Sequence, residues 1–236
     1  SYIKNVHVGI TGSFGCFSFH PRKAITTGEG GMITTNNQHY AIKLRALRDH
    51  GMDYSNNTEE RGPHLMKDHL YAGYNYRMTD IQAALGISQM KRSSNILQER
   101  REIAKRYDEA FHNNNFIGIP VYNSNESTHS YQSYVCLYKP LDIEDALRNE
   151  DFASITRLSE ERNTLMKNLA NDGIGTRPPT HAIHVLDYYS KKYKLLPQDF
   201  PKAWTAFMCG FSLPIFPGLS HDDQKMVIIS LLKNLI

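Results

Sequence analysis

A lysine stands between two predicted strands, with a hydroxyl before it and glycines after it. Cys16–His20 and Met32–Thr35 are short runs of β-forming residues that flank a polar connection carrying Lys23. Ser18 precedes this lysine, and the cluster Gly28–Gly31 follows with glycines that can adopt positive φ. At the end of a buried strand a lysine is desolvated, which favours the free amine that attacks a carbonyl, while Ser18 and backbone N–H groups could hold a phosphate. The alternative is a surface lysine on a tight hairpin, because the generic phosphate motifs GxxxxGK[ST] and GxGxxG are both missing.

Two histidines with metal-ligand spacing lie in the second half of the chain. His181 and His184 form an H-x₂-H pair. Such a pair can contribute to a metal site, but no third and fourth ligand follow nearby, so no metal is expected. Structural histidines at the surface are the alternative.

Helical periodicity and capping residues predict the elements that position these groups. A helix over 40–50 is expected to stop at Gly51, and Thr79 can cap a helix that runs to about residue 93. Three further helices are predicted from Asn95, over 159–171, and over 220–235 with Ser220 as the N-cap. Residues 131–138 and 211–214 are predicted to be extended, and residues 52–72 are predicted to form a long surface loop.

A stretch rich in turn-forming residues over 112–130 is the best candidate for a domain boundary. It divides the chain into a first domain over 1–110 and a small mixed α/β domain over 111–236.

Overall composition excludes several classes of protein. The chain has 236 residues, of which 40% are hydrophobic and 22% charged, as in ordinary globular proteins. A net charge of +3, with basic residues interleaved with acidic ones, argues against nucleic-acid binding. No apolar run approaches the ~20 residues that span a bilayer, so no membrane insertion is expected. Three widely separated cysteines favour a reducing, cytoplasmic setting.

Five segments of the chain together resemble one known family. The stretch Ser18–Gly31 is similar to the lysine segment of the DegT/DnrJ/EryC1/StrS sugar aminotransferases, which are related to perosamine synthase. Arg48–Gly51 and Gly73–Ala84 match two further landmarks of that family, and the C-terminal landmarks are Gly173–Pro178 and Leu213–Phe216. The resemblance covers essentially the whole chain. It implies an α/β fold, comprising the rear part of a fold-type-I pyridoxal-phosphate-dependent large domain and a small C-terminal domain.

The resemblance also implies roles for individual residues. Lys23 would bind pyridoxal 5'-phosphate covalently and shuttle the proton during amino transfer, and Ser18 would hydrogen-bond the cofactor phosphate. Asn75 would reach the phosphate of the partner subunit's cofactor, which implies a homodimer with shared sites. Arg177, His181 and His184 would lie near the nucleotide-sugar substrate. Dehydratases of the family carry histidine in place of the lysine, so Lys23 argues for an aminotransferase.

The activity implied is transfer of an amino group, from glutamate, to a nucleotide-linked 4-keto-6-deoxy sugar in polysaccharide or deoxysugar biosynthesis. The family's N-terminal segment, with the aspartate that faces the pyridine nitrogen, has no counterpart here, so we expect an incomplete chain with doubtful activity by itself. A non-catalytic remnant that serves dimerisation or partner binding is the alternative.

Overall fold

The computed structural model describes residues 1–54, 66–121 and 125–235. The chain forms two compact units, the first comprising Ser1–Asn95 with Asn123–His129 and the second Ile96–Tyr122 with Ser130–Ile236. The domain boundary at residues 110/111 stays a prediction, and residues 55–65 of the expected surface loop lie outside the described residues.

Eight strands and eight helices are present in the described residues. They are, in chain order, β1 (Tyr2–Ile3), β2 (Val6–His7), β3 (Gly15–Ser18), β4 (Gly31–Thr34), α1 (Gln38–Arg48), α2 (Asp80–Lys91), α3 (Ser93–Phe111), β5 (Ile117–Gly118), β6 (Ser127–Thr128), β7 (Tyr134–Tyr138), α4 (Pro140–Arg148), α5 (Phe152–Asn171), α6 (Asp187–Tyr193), α7 (Pro201–Cys209), β8 (Gly210–Leu213) and α8 (His221–Lys233). Three short 3-10 helices cover Val8–Ile10, Ile183–Val185 and Pro197–Asp199. No described helix is both long and apolar enough to cross a lipid bilayer.

Two small antiparallel sheets form the strand part of the first unit. One has the order β2-β1-β6, and the other is the hairpin of β3 and β4. Helix α2 starts as predicted, because Thr79 and Gln82 form a reciprocal capping box at its N-terminus. The helix ends at Lys91, close to the predicted end.

Helix α1 ends earlier than its sequence pattern predicts. It stops at Arg48 with Asp49 as the C-cap, and the first left-handed residue is His50, with φ of +56°. Gly51 follows with φ of +77°, and its N–H donates to the carbonyl of Ala46 at 2.8 Å. The helix therefore has a Schellman-type ending with positive φ at both His50 and Gly51, whereas the sequence predicts a stop at Gly51 alone.

The second unit is built on the antiparallel sheet β5-β7-β8. Its core consists of apolar side chains from β7, β8 and the helices around them, including Tyr107, Tyr134, Phe211, Leu169 and Leu231. The prediction that a helix begins at Ser159 is wrong, because Asp151 accepts the N–H of Ser154 and caps α5 from Phe152. Helices α4 and α7, each with proline in the first turn, were not predicted.

Candidate functional site

Lys23 lies in the connection between β3 and β4. Ser18 pairs with Gly31 in the hairpin, and beyond this pair the N–H of Phe19 donates to the carbonyl of Gly30 at 2.9 Å. The chain then turns, because the N–H of Lys23 donates back to the carbonyl of His20 at 2.9 Å. Proline at position 21 is suited to this turn, since its fixed φ matches the second position of a β-turn.

The expectation that Lys23 ends a buried strand is wrong. In β3 only Gly15 is buried, and Phe17 is 37% exposed. The hairpin is two-stranded in the described residues, so no further strand pairs with either of its edges. The Lys23 side chain is exposed as well, and within the described part of the chain its ammonium forms no ion pair or hydrogen bond.

Helix α2 anchors the connection that carries the lysine. Gln89 binds the backbone of Thr26 twice, with Oε1 accepting the N–H at 3.1 Å and Nε2 donating to the carbonyl at 3.0 Å. Gln82, two turns earlier on the same helix face, donates to the carbonyl of Glu29 at 3.0 Å. The sequence analysis missed both anchors. The two glutamines are seven residues apart, which places them on the same face of a helix. This spacing was the pattern in the sequence that could have indicated the anchors.

The glycine cluster after the lysine has a steric reason. Gly30 has φ of +152°, and a Cβ at this position would lie 2.6 Å from Thr27 Oγ1. Thr27 itself is buried and donates its hydroxyl to the carbonyl of Glu29 at 2.7 Å. Any side chain at position 30 would therefore displace the turn that follows Lys23.

The hydroxyl hydrogen of Ser18 has no acceptor among the residues that the structure describes. Its Oγ accepts the N–H of His20 at 3.3 Å, so the hydroxyl can still donate a hydrogen bond to another group. Lys23 and Ser18 thus offer a lysine nitrogen and a hydroxyl donor from one hairpin. A lysine nitrogen can condense with an aldehyde and a hydroxyl can donate to a phosphate, so the two residues fit an aldehyde-bearing phosphate compound.

Asn75 lies in an extended segment beside the C-terminal end of α1. The N–H groups of Tyr74 and Tyr76 donate to the carbonyls of Leu47 and Arg48 at 2.8 and 2.9 Å. Asn75 itself forms a bridge with Asp49. The described residues contain no hydrogen bond or ion pair from Asn75 to Lys23 or Ser18.

The side chain of Asn75 belongs to a polar cluster that the sequence analysis missed. Arg77 Nε donates to Asn75 Oδ1 at 3.1 Å, and the same guanidinium lies 3.4 Å from Asp49 Oδ1. Tyr54 donates its hydroxyl to the other Asp49 oxygen at 2.5 Å. The hydrogen bond from Tyr54, more than the nearby charges of Arg77 and His50, lowers the pKa of Asp49 despite its burial.

Three further predicted site residues lie in the second unit. Arg177 is exposed and pairs with Ser212 through its backbone, and His181 is exposed with its ring 5.7 Å from that of Phe207. His184 is only 6% exposed, so the alternative of a surface histidine is wrong for this residue. Among the residues with assigned structure, no group of three or more His, Cys, Asp or Glu side chains could hold a metal ion.

Sequence comparison identifies the family. The sequence pattern of the DegT/DnrJ/EryC1/StrS aminotransferase family matches residues 1–232. The chain belongs to this family. The resemblance inferred from the sequence motifs is therefore confirmed, and so is the α/β fold class of a pyridoxal-phosphate-dependent aminotransferase.

Two curated relatives are similar to this chain over most of its length. The spore coat polysaccharide biosynthesis protein SpsC of Bacillus subtilis is 34% identical over 231 residues, which are 94% of this chain and 53% of SpsC. GDP-perosamine synthase of Escherichia coli O157:H7 is 32% identical over 224 residues, which are 94% of this chain and 52% of the synthase. The chain spans about half the length of these relatives.

A solved structure shows the same fold. Spr1654 from Streptococcus pneumoniae in its PMP form superposes with a TM-score of 0.83 at 25% identity, covering 99% of this chain and 56% of that protein. Spr1654 has also been solved in a PLP form, with a TM-score of 0.81.

Proposed function

We propose that the protein containing this chain is a pyridoxal-phosphate-dependent aminotransferase that acts on nucleotide sugars. The observation that carries the proposal is Lys23, whose side-chain nitrogen has no partner within the described residues. It lies on a connection that α2 anchors, in the same hairpin as Ser18. Family membership supports it, and so do the PLP and PMP forms of Spr1654. A cytoplasmic setting is part of the same proposal.

The chain's own residues have three tasks in this activity. Lys23 binds the cofactor aldehyde through Nζ and, once released, moves a proton at that same atom. Ser18 donates its hydroxyl hydrogen to the cofactor phosphate, and Asn75 donates from Nδ2 to a phosphate. Pyridoxal phosphate, when bound, supplies an electron sink for the bond-breaking steps.

Chemical trapping at Lys23 tests the proposal. The natural protein is incubated with pyridoxal 5'-phosphate, reduced with borohydride and mapped by peptide mass spectrometry. We expect a single modified lysine, Lys23, and we expect Lys23→Ala to abolish both the modification and the visible absorbance of the cofactor.

Lys167→Ala is the matched control, because Lys167 is an exposed lysine on α5 and should keep both signals. Modification of another lysine in Lys23→Ala, with the visible absorbance retained, would contradict the assignment.

The substrate we propose is a nucleotide-linked 4-keto-6-deoxy sugar, with glutamate as the amino donor. Support comes from GDP-perosamine synthase and SpsC, whose names place them in perosamine and coat polysaccharide synthesis. Arg177, His181 and His184 are the residues that we propose to contact the substrate.

A panel of nucleotide-linked keto sugars with labelled glutamate tests the substrate class, and labelled nitrogen should appear in an amino sugar. Labelled nitrogen in none of the sugars would contradict this substrate class.

A further inference from the structure

The orientation of the Asn75 amide is determined by its neighbour Arg77. An asparagine amide has an acceptor end and a donor end, and only its hydrogen-bond partners decide which way it faces. Arg77 Nε lies 3.1 Å from Oδ1, and a guanidinium can only donate. The Oδ1 end must therefore face Arg77, which leaves the two N–H donors of Nδ2 directed away from it.

Arg77 is in turn held by a buried carboxylate. Its guanidinium lies 3.4 Å from Asp49 Oδ1, and the Asp49 side chain is only 10% exposed. Tyr54 holds the second oxygen of Asp49 at 2.5 Å. One guanidinium thus donates a hydrogen bond to Asn75 from Nε and forms an ion pair with Asp49 through a different nitrogen, which a lysine ammonium cannot do with the same fixed geometry.

Backbone contacts fix the positions of Asp49 and Asn75, the two residues that Arg77 joins. Asp49 and Asn75 are bridge partners, and the N–H of His50 donates to the carbonyl of Tyr74 at 2.8 Å. Asp49 is the C-cap of α1, so its position is set by the end of that helix. The orientation of the Asn75 amide is therefore built into the fold of the first unit.

We propose that Arg77 is a positioning residue, which holds the Asn75 amide with its N–H donors presented to the phosphate of the cofactor. Asp49 acts through Arg77, since its carboxylate compensates the guanidinium charge in an ion pair at 3.4 Å. This inference rests on the proposed function, in which Asn75 donates to a phosphate. Arg77 itself need not touch the cofactor.

Different losses of affinity are expected for the two residues. Asn75→Ala removes a hydrogen bond to a charged group, so pyridoxal 5'-phosphate should bind roughly tenfold to a hundredfold more weakly. Arg77→Met leaves the amide in place but free to rotate, so binding should weaken only about two- to fivefold. Pyridoxal, which lacks the phosphate, should bind equally well to both variants and to the unaltered protein.

A double-mutant cycle on the natural protein tests the coupling. Dissociation constants for pyridoxal 5'-phosphate and for pyridoxal are measured for Arg77→Met, Asn75→Ala and the double variant. We expect Arg77→Met to have no further effect in the Asn75→Ala background, because the amide it orients is gone. Arg92→Met is the matched control, since Arg92 is an exposed arginine at the C-cap of α2 and should not change either constant.

Two outcomes would overturn the inference. One is an equal loss from Arg77→Met in the presence and absence of Asn75, which would mean direct contact or a general structural role. The other is an equal loss for pyridoxal, which would show that the phosphate is not involved. If Arg77→Met does not fold, Arg77→Lys serves in the same cycle, because it keeps a positive charge beside Asp49.

A second measurement separates this inference from the proposed function. In Lys23→Ala protein, the side-chain amide signal of Asn75 is followed by NMR as inorganic phosphate is added. The signal should shift on addition of phosphate, and Arg77→Met should reduce the apparent affinity. A shift that depends on Arg77, together with no trapped adduct at Lys23 in the unaltered protein, would refute the proposed function and retain the positioning role. Trapping at Lys23 with no phosphate response at Asn75 would retain the proposed aminotransferase function and refute the positioning role of Arg77.

Discussion

At the scale of single residues, buried Asp49 links the end of α1 to the Asn75 segment. Its pKa lies below the usual value of 3.8, chiefly because Tyr54 donates a hydrogen bond to the ionised carboxylate. A carboxyl group whose pKa is lowered in the folded state stabilises the protein above its unfolded pKa. That stabilisation is present at neutral pH and is lost as the pH falls below about 3.8 through the folded value.

Replacing Tyr54 with phenylalanine should destabilise the protein in a pH-dependent way. The variant loses one hydrogen bond to a charged group, so the free energy of unfolding at pH 7 should fall by about 1–2 kcal/mol. The loss should be smaller at about pH 3, which lies below the unfolded pKa of about 3.8, because the stabilisation from the lowered pKa is lost as the pH falls through the folded value. Urea unfolding at both pH values measures this difference.

Tyr71→Phe is the control, because Tyr71 also belongs to the first unit and its hydroxyl forms no hydrogen bond within the described residues. An equal loss for Tyr54→Phe at both pH values would show that Asp49 does not depend on Tyr54.

At the scale of elements, α2 positions the lysine connection. The helix itself buries no residue, and an apolar cavity of about 510 Å³ lies where Phe19, Ile25 and Thr27 face its side chains. Apolar packing is therefore incomplete between these elements. The directional bonds from Gln82 and Gln89 carry much of the attachment of the connection to the helix.

Gln89→Leu should loosen the connection that carries Lys23. The substitution leaves the N–H and the carbonyl of Thr26 without their partner in a part-buried site, which costs about 1–3 kcal/mol. Hydrogen exchange at the Thr26 amide should accelerate, and thermal unfolding should begin at a lower temperature. Both are measured on the same preparation.

Gln98→Leu provides the comparison, since within the described residues the Gln98 side chain bonds only the exposed side chain of Glu102. Unchanged exchange at Thr26 in Gln89→Leu would show that α2 does not hold the connection.

At the scale of the whole molecule, we propose a homodimer with shared sites. Asn75 forms no hydrogen bond or ion pair with Lys23 or Ser18 in the described part of its own chain. A role for Asn75 at the phosphate of the partner subunit's cofactor agrees with this separation.

Mixing two impaired variants should restore activity if sites are shared. In a heterodimer of a Lys23→Ala protomer with an Asn75→Ala protomer, both changes fall in one site and the other site is unaltered. Activity up to about half of normal per heterodimer is expected, and it is measured after separation of heterodimers by two different affinity tags. Each variant mixed with itself is the control. Heterodimers without restored activity would assign Asn75 to its own subunit's site.

The family, the fold class and most of the elements could be predicted from the sequence alone. Lysine, hydroxyl and glycine positions are local patterns, as are the capping box of α2 and the N-cap of α8, so neighbouring residues suffice to predict them. Only the tertiary structure showed that Gln89 holds Thr26, that Arg77 joins Asp49 to Asn75, and that His184 is buried. Gln89 and Thr26 are 63 positions apart in the chain. Contacts at such separation depend on how the chain folds back on itself, and periodicity and capping rules carry no information about them.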